Sequence, residues 1–409
     1  MKKVMILGAG IYQVPIIKKA MEMGFETIAV SPDGNYPGLK IADKVYNIDV
    51  RDGEAILKIA REEGICGITT DQTDIAVRTV AYVAEKMGIP GIGFECAKLF
   101  TDKYLMRTKT TQLGLPTIPF KMVGSYEEAE SFFKEIGGDV IIKPVDNQGS
   151  RGIFFISSIE MLKDHFEESK GYSASGNVII EKHIKGPEFE VDSILVDYEE
   201  KTLMYADTDL YDIPDVFASR TRLYPSVADD KVVEKLLKLN HDIITGFGLK
   251  QGLTHSEYIM DEEDGEIYLI EAAARGGGSF ISSDIARLQT GVDTSQFLIE
   301  LATGTAKSIP EFDSCLCHCG YVTFYLPEGV VEDVTGIEEV KALPFVKKHL
   351  LDDIYVGLET ESFSDKSARN VIISAADSRE GLLANIEKIK ELLQIKVKTT
   401  EGTKGPIWE

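Results

Sequence analysis

The order of apolar and polar positions divides the chain into short strands and amphipathic helices. Near the N-terminus, apolar runs at residues 3–7 and 26–30 alternate with helical periodicity at residues 12–23 and 55–63. Strands that alternate with helices predict a parallel sheet with helices on both faces. We therefore expect mixed α/β and α+β architecture that opens with a doubly wound parallel α/β domain.

The turn Gly8-Ala9-Gly10 after the first strand suggests a dinucleotide site, and with it a dehydrogenase as one alternative function. The signal is weak, because Gln13 replaces the third glycine and Ser31 replaces the acid that would bind a ribose. Polar residues at the carboxyl ends of these strands instead predict a wall of an acceptor-substrate site. They are Gly10, Tyr12, Gln13, Thr70, Asp71 and Asp74.

Two glutamates end neighbouring segments that are typical of β-strands. Glu257 lies in residues 252–260, and Glu271 ends residues 265–271, after the acidic turn 261–265. A hairpin of this length brings the two carboxylates together, and a hard cation such as Mg²⁺ would relieve their repulsion. Arg275 follows as a positive charge for an anion formed there. The alternative, an acidic surface hairpin, is our interpretation of residues 261–264.

A strand, a loop with glycines and a second strand occupy residues 139–157. Lys143 ends the first strand, and it could hold a triphosphate together with the loop amides; an ordinary surface hairpin is the alternative. Residues 181–188 form a short linker whose backbone suits an adenine edge, and Glu188 is placed for ribose hydroxyls. Arg220 and Arg222 lie in a polar stretch, where one could hold a substrate carboxylate or both could be ordinary surface arginines.

Length and charge limit the classes of partner. A chain of 409 residues predicts several packed units. A net charge of −23 argues against nucleic acid or an anionic membrane as a partner, so an anionic substrate must be attracted by local Lys and Arg residues. No apolar run approaches the ~20 residues of a membrane span, and no leader segment precedes the first strand, so we expect a cytoplasmic protein.

Two further features carry weaker signals. Cys315, Cys317 and Cys319 alternate around His318, which favours small buried thiols over a soft-metal site. The apolar tail at residues 404–409 is expected to dock on the rest of the protein.

Taken together, the motifs resemble the ATP-grasp superfamily, specifically its carboxylate–amine ligases similar to L-amino-acid ligases, biotin carboxylase and the carbamoyl phosphate synthetase large subunit. The resemblance spans nearly the whole chain and depends on the order of motifs that are individually weak. They are Asp102-Lys103, Ile142-Lys143-Pro144, Gln148-Gly149-Ser150-Arg151-Gly152, Glu181-Lys182-His183-Ile184, Glu188, Glu257 and Glu271 with Arg275. It implies an N-terminal domain at 1–96, an ATP-grasp domain at 97–312 with a lid at about 115–185, and a C-terminal α+β domain at 313–409.

The resemblance also implies a nucleotide site. Lys103 and Lys143 would hold the ATP phosphates, and the loop through Ser150, Arg151 and Gly152 would close over them. Glu181 would accept a hydrogen bond from the adenine amino group, the backbone of Lys182, His183 and Ile184 would hold the ring edge, and Glu188 would bind the ribose.

The reaction implied is acyl-phosphate formation followed by attack of an amine. Glu257 and Glu271 would bind Mg²⁺, with Mn²⁺ as an alternative, and Lys143 would neutralise charge on the transferred phosphoryl. Arg275 and the amides of Gly276, Gly277 and Gly278 would stabilise the oxyanion.

One departure from the family pattern is Ala273, because the family commonly has Glu-x-Asn there. A second Mg²⁺ would then be held by water or more weakly, and a nucleotide-binding sensor or scaffold without turnover is an alternative function. The acid, the amine and the choice between carboxylate and bicarbonate are left open, and the resemblance suggests a homodimer.

Overall fold

The computed structural model describes residues 1–147, 151–214, 216–313, 315–361 and 368–409. The chain opens with the predicted parallel sheet, whose strand order is β3-β2-β1-β4. Its elements are β1 (Lys3–Leu7), α1 (Val14–Glu22), β2 (Glu26–Ser31), β3 (Lys44–Asn47), α2 (Gly53–Glu63), β4 (Gly67–Thr69) and α3 (Val77–Met87), with short 3-10 helices at Ile11–Gln13 and Pro37–Lys40. The inner strands β1 and β2 are almost entirely buried, as expected for a parallel sheet covered on both faces.

The carboxyl ends of these strands, where a dinucleotide would bind, are covered by residues 276–283. Gln72 accepts a hydrogen bond from the Phe280 amide at 2.9 Å, and Tyr12 packs edge-on against the Phe280 ring. Gln13 donates to the Asp71 carbonyl at 2.8 Å, so it braces the turn in place of the third glycine. Protein therefore fills this end of the sheet, which disfavours the dehydrogenase alternative.

Two helices connect the first sheet to the second, α4 (Phe94–Leu99) and α5 (Lys103–Gln112). The pattern of residues 97–113 predicts one helix, but the structure divides this stretch in two, because Asp102 interrupts the helix. The Asp102 carboxylate accepts a hydrogen bond from the Leu105 amide at 3.0 Å, so Asp102 is the N-cap of α5. Lys103 is consequently the first residue of a new helix.

A four-stranded antiparallel sheet with its own hydrophobic core follows. It consists of β5 (Phe120–Val123), α6 (Tyr126–Ile136), β6 (Val140–Pro144), β7 (Phe154–Ile156), α7 (Ile159–Gly171) and β8 (Val178–Lys182), in the strand order β5-β8-β6-β7. Ser125 caps α6, because its side chain accepts a hydrogen bond from the Glu128 amide. This small layer holds Lys143 and Glu181 on adjacent strands.

The largest sheet begins with β9 (Glu188–Val196), β10 (Glu199–Leu210) and β11 (Ser219–Tyr224), and after α8 (Asp230–Gly246) it continues with β12 (Gly252–Met260) and β13 (Ile267–Ala273). Arg220 and Arg222, which were assigned to a polar stretch, lie in β11. A π-helix at Ile281–Ile285 leads into α9 (Ala286–Thr290), and α10 (Thr294–Ala302) follows.

The C-terminal part completes this sheet. Its elements are β14 (His318–Phe324), β15 (Gly329–Thr335), α11 (Ile337–Lys341), β16 (Val346–His349), β17 (Glu359–Thr360), β18 (Asn370–Ala376), α12 (Arg379–Leu392), β19 (Gln394–Thr399) and β20 (Gly402–Lys404). The eight-stranded order is β13-β12-β9-β10-β11-β14-β18-β16, and β17-β15-β19-β20 form a fourth sheet. The tail docks as expected, since Ile407 pairs with Tyr325 and Trp408 packs on Phe324.

One hydrophobic core joins these layers. It includes Ile6 and Ile17 of the first unit, Ile194 and Leu203 of the large sheet, and Tyr321 of β14. Cys319 is also buried in this core, as predicted, but Cys317 is only half-buried and Cys315 is exposed, so the prediction of small buried thiols is wrong for Cys315. Among the described helices, none is long and apolar enough to cross a membrane.

Candidate active site

Glu257 and Glu271 are direct cross-strand partners on β12 and β13, as the sequence predicted. Opposed side chains in an antiparallel pair have Cβ atoms about 5 Å apart. Both residues line a cleft between the small and the large antiparallel sheets. Two carboxylates with hard oxygen donors at this spacing fit Mg²⁺ or Mn²⁺. Ala273, which is buried opposite His255, adds no oxygen ligand to the pair.

A β-bulge lies next to this pair. Glu257 is opposite Glu271 and Tyr258 is opposite Leu269, so Ile270 is the extra residue on β13. Successive residues of a regular strand point to opposite faces, yet both Ile270 and Glu271 line the cleft. The Ile270 carbonyl accepts a hydrogen bond from Arg107 Nη2 at 2.7 Å, which fixes the bulge.

Each of the two glutamates has a cationic partner. Lys103 Nζ lies 3.1 Å from Glu271 Oε1 and donates to the Asn147 carbonyl at 2.8 Å. Arg222 donates to Glu257 through Nη2. The cations and carboxylates that a metal-bound triphosphate requires are therefore assembled at one end of the cleft.

Lys143 belongs to a buried triad with Glu181 and Arg107. Arg107 Nε donates to Glu181 Oε1 at 2.7 Å, and Lys143 pairs with Glu181 Oε2. Burial lowers the pKa of the Lys143 ammonium, and Arg107 adds to this effect. Burial alone would raise the pKa of Glu181, but Arg107 and Lys143 outweigh it and lower that pKa. The Glu181 carboxylate is therefore ionised and holds Lys143 at the cleft wall.

The opposite end of the cleft is apolar. Ile118, Ile184 and Ile259 form a separate buried cluster, against which Ile270 packs. All four line the cleft, whose walls and open mouth enclose about 1130 Å³. Known small-molecule pockets combine apolar walls with a few polar groups, and the isoleucines together with the nearby charged side chains give the cleft this character.

The predicted adenine linker lies beside these isoleucines. The amides of Lys182 and His183 donate to the carbonyls of Pro119 and Asp139, each at 2.9 Å, which fixes the linker backbone. Burial, with the nearby charge of Lys185, lowers the pKa of His183, so its imidazole is neutral at pH 7. Lys182, His183, Ile184 and Glu188 all line the cleft, so the structure brings the predicted adenine and ribose residues together.

A buried ionic network lies behind Glu257. Arg222 pairs with Glu190 as well as Glu257, and His255 Nδ1 lies 3.0 Å from Asp192 Oδ1 and 3.3 Å from Glu190 Oε1. Burial would lower the pKa of His255, but Glu190 and Asp192 raise it well above its ordinary value.

Glu190, Asp192 and His255 have potential ligand atoms within 4.8 Å of one another, which would suit a metal ion. However, Arg222 and His255 already pair with these carboxylates. Burial and Glu190 raise the pKa of Asp192 to about 7, whereas Arg222 and His255 outweigh burial and lower the pKa of Glu190 to about 2. We interpret the cluster as an ionic support for Glu257.

Arg275 lies outside the cleft wall, in contact with the N-terminal unit. Its Nε and Nη2 donate to the Asp74 carboxylate at 2.9 and 2.7 Å, and its Nη1 donates to the Gly276 carbonyl at 3.0 Å. Burial would lower the pKa of Arg275, but the negative charges of Asp74, Glu271 and Glu257 raise it. Arg275 therefore interacts electrostatically with both glutamates of the cleft. A Cβ at position 277 would lie 2.8 Å from His255 Nδ1, whereas position 278 has open space around it.

The remaining predicted site residues are divided between the cleft and the surface. Arg151 lines the cleft, and the Gly152 carbonyl accepts a hydrogen bond from Ser169 Oγ at 2.7 Å. Ser150 lies outside the described residues. Arg220 Nη1 lies 3.5 Å from Glu409 Oε1, away from the cleft. Arg222, the other arginine of β11, lines the cleft.

Sequence reasoning missed Arg107, Glu190 and Asp192. Arg107 is 1% exposed within an apparently ordinary helix, and no pattern identifies its partner on β8. Glu188, Glu190 and Asp192 alternate with apolar residues, so period-two reasoning could have placed all three on one face of β9.

Comparison with known proteins identifies the family. Residues 102–309 match the family model described as the carbamoyl-phosphate synthase L chain, ATP binding domain. An L-arginine-specific L-amino acid ligase of Bacillus subtilis is 26% identical over 326 residues, which cover 74% of this chain and 76% of that protein. The alanine–anticapsin ligase of B. subtilis strain 168 is 27% identical over 278 residues, which cover 63% of this chain and 58% of that protein.

Solved structures share the fold over nearly the whole chain. The L-amino acid ligase of Bacillus licheniformis has a TM-score of 0.82 at 20% identity, covering 98% of this chain and 99% of that one. The biotin carboxylase domain dimer of Hydrogenobacter thermophilus 2-oxoglutarate carboxylase, solved with MgADP, has a TM-score of 0.77 at 21% identity, covering 99% and 91%. The family match spans more than half of the chain and includes both glutamates of the cleft. The chain therefore belongs to the ATP-grasp superfamily, in the family of the carbamoyl-phosphate synthase L chain, ATP binding domain.

Proposed function

We propose that this enzyme activates a substrate carboxylate as an acyl phosphate and joins it to an amine, with an amino acid as one substrate. The observation that carries the proposal is the facing pair Glu257 and Glu271, with Lys103 and Lys143 in the same cleft. The amino-acid preference is supported by the similarity to ligases whose names include amino acids.

Adenine would occupy the isoleucine end of the cleft. Both carboxylate oxygens of Glu181 are engaged by Arg107 and Lys143, so we assign the acceptor for the adenine amino group to a backbone carbonyl of the linker. The backbone at His183 and Ile184 would hold the ring edge, and Glu188 would accept hydrogen bonds from the ribose. This arrangement places the phosphates toward Lys103 and Glu271.

Lys103 and Lys143 would bind the phosphate oxygens and neutralise charge as the substrate carboxylate attacks the γ-phosphorus. Glu257 and Glu271 would hold Mg²⁺, which when bound lowers the negative charge of the phosphates. Arg222 keeps Glu257 oriented. The lid residues Arg151 and Gly152 would exclude water, because an acyl phosphate exposed to water hydrolyses.

The amine would then attack the activated carbonyl. Arg275 supplies positive charge near Glu257 and Glu271, and two hydrogen bonds to Asp74 hold it in place. Gly278, where the structure leaves open space, is the better placed of the two predicted glycines to approach an oxyanion.

The test is a coupled assay of ADP and phosphate release with amino acids and small acids offered singly and in pairs. We expect release that depends on both an acid and an amine, with an amide product detected by mass spectrometry. ATP binding without release for any pair would favour the sensor or scaffold alternative. The expected homodimer remains a prediction, which light scattering of the purified protein would check.

A further inference from the structure

A second cavity adjoins the cleft and lies between the N-terminal unit, α5 and the small antiparallel sheet. It encloses about 1290 Å³ up to its open mouth. Its walls include Arg51, Asp74 and Arg78 from the N-terminal unit, Phe100 and Thr101, and Asp146 and Tyr172 from the small sheet. None of the isoleucines of the proposed adenine end is among these described wall residues.

The two cavities meet at the phosphate end of the cleft. They share Lys103, Asn147, Arg151 and Glu271. A molecule in the second cavity would therefore approach the γ-phosphate from the side opposite to the adenine. This is the direction from which an attacking carboxylate must come, because attacking and leaving oxygens are roughly in line.

The acids of the second cavity already have partners. Asp74 accepts two hydrogen bonds from Arg275, and Glu271 pairs with Lys103. Asp146 accepts from Ser173 Oγ at 2.9 Å and from the amides of residues 174 and 175. The negative charges of the wall are therefore largely compensated.

The guanidinium of Arg78 has fewer hydrogen-bonding and ionic partners than these acids have. Its Nε donates to Thr101 Oγ1 at 2.5 Å, and its Nη2 lies 3.7 Å from Asp102 Oδ2. Asp102 already caps α5. Arg78 Nη2 is buried and has no hydrogen-bond partner among the described residues, and a buried donor without a partner is costly. In a chain of net charge −23, this cation can attract an anion.

We infer that the second cavity binds the acid substrate and that Arg78 holds a second anionic group on it. The substrate class is an acid with two carboxylates, such as an acidic amino acid or a short dicarboxylic acid. One carboxylate reaches the γ-phosphate beside Lys103 and Glu271, and the other forms charge-assisted hydrogen bonds with Arg78. This inference rests on the proposed function and names its substrate class.

The experiment compares Arg78→Met with the wild type in ADP release, using aspartate, glutamate and succinate beside neutral acids of equal length. We expect the wild type to prefer acids with two carboxylates. Arg78→Met should raise the KM for those acids by about 10- to 100-fold, because a hydrogen bond between charged groups contributes about 1.5–3 kcal/mol. The KM for ATP should change little, and Arg78→Lys should recover part of the loss.

The matched control is Arg61→Met on the exposed face of α2, outside both cavities, which should leave every KM unchanged. Thermal unfolding of each variant separates misfolding from a lost contact. A wild type that prefers acids with one carboxylate, an Arg78→Met variant with unaltered KM for the acid, or an effect on the amine alone would overturn the inference. If no pair of acid and amine releases ADP from the wild type, the proposed function itself fails.

Discussion

The guanidinium of Arg275 forms two hydrogen bonds with the carboxylate of Asp74, at 2.9 and 2.7 Å, across the boundary between the N-terminal unit and the large sheet. The two residues are 201 positions apart in the sequence. The pair fixes a positive charge close to Glu257 and Glu271, so the N-terminal unit contributes directly to the position of a proposed catalytic residue.

Replacing Asp74 should therefore affect both stability and turnover. Asp74→Asn keeps the size of the side chain but leaves the largely buried Arg275 without a counter-charge. We expect a loss of roughly 2–4 kcal/mol in the free energy of unfolding, measured with urea, together with reduced turnover. Asp49→Asn, which breaks an exposed pair with Arg51, should change stability by less than about 1 kcal/mol. Equal stability of the two variants would contradict a structural role for the Asp74–Arg275 pair.

Removing either charge of the facing glutamates should abolish metal-dependent turnover. Glu257→Gln and Glu271→Gln each take away one anionic ligand, and we expect ADP release to fall by roughly a thousandfold, about 4 kcal/mol of activation free energy. Titration with Mg²⁺ and with Mn²⁺ should show weaker apparent metal binding. Full activity in Glu271→Gln would refute the metal assignment. Glu263→Gln, in the exposed acidic turn, is the matched control and should behave as the wild type.

Removing the charge of Glu181 should destabilise the protein. Glu181→Gln leaves Arg107 and Lys143 buried without their shared carboxylate, and breaking a buried ion pair typically costs about 3–5 kcal/mol. Guanidinium unfolding followed by circular dichroism measures the change. Glu95→Gln, which removes an exposed partner of Lys98, should shift the midpoint very little. A Glu181→Gln variant as stable as Glu95→Gln would show that this buried pair contributes little.

Asp71 should make stability depend on pH. Burial raises the pKa of this carboxyl group to about 6, above its ordinary value of 3.8. The folded protein thus holds the Asp71 proton more tightly than the unfolded chain does. The resulting stabilisation is complete below about pH 4 and is lost as the pH rises through 6, by up to roughly 3 kcal/mol.

The measurement for Asp71 is urea unfolding of the wild type and of Asp71→Asn between pH 4 and pH 7. The wild type should lose stability relative to the variant over this range. Parallel curves for the two proteins would mean that the pKa of Asp71 is not raised in the folded state.

The fold was predictable from the sequence where the signal is local. Alternating strands and helices identified the parallel sheet, and period-two patterns identified β12 and β13. Both signals exist because burial of a face imposes a regular spacing of apolar residues along the sequence. Order along the chain also brought Glu257, Glu271, Lys143 and the adenine linker into one site, since each ends or follows a recognisable strand.

The sequence did not reveal features that depend on distant partners. Arg222 was assigned to a polar stretch because its two carboxylate partners, Glu190 and Glu257, lie on other strands. Nothing in the sequence around Arg222 therefore indicates that it is buried. Arg107 lies in an amphipathic helix, and only its contact with β8 distinguishes it from a surface arginine. The division of residues 97–113 into two helices depended on one capping contact of Asp102.

Ile270, the extra residue in β13, lets two successive side chains, Ile270 and Glu271, both line the cleft. In a regular strand these two side chains would point to opposite faces. Without Ile270, Leu269 and Glu271 would follow each other in normal register, so the pair Glu257 and Glu271 would keep its cross-strand geometry while the cleft wall lost the Ile270 side chain. On the proposed placement of adenine, we expect variation at position 270 to change the preference between ATP and GTP without moving the two carboxylates proposed to bind the metal. A library randomised at this single position would give base-selectivity variants that retain their magnesium requirement.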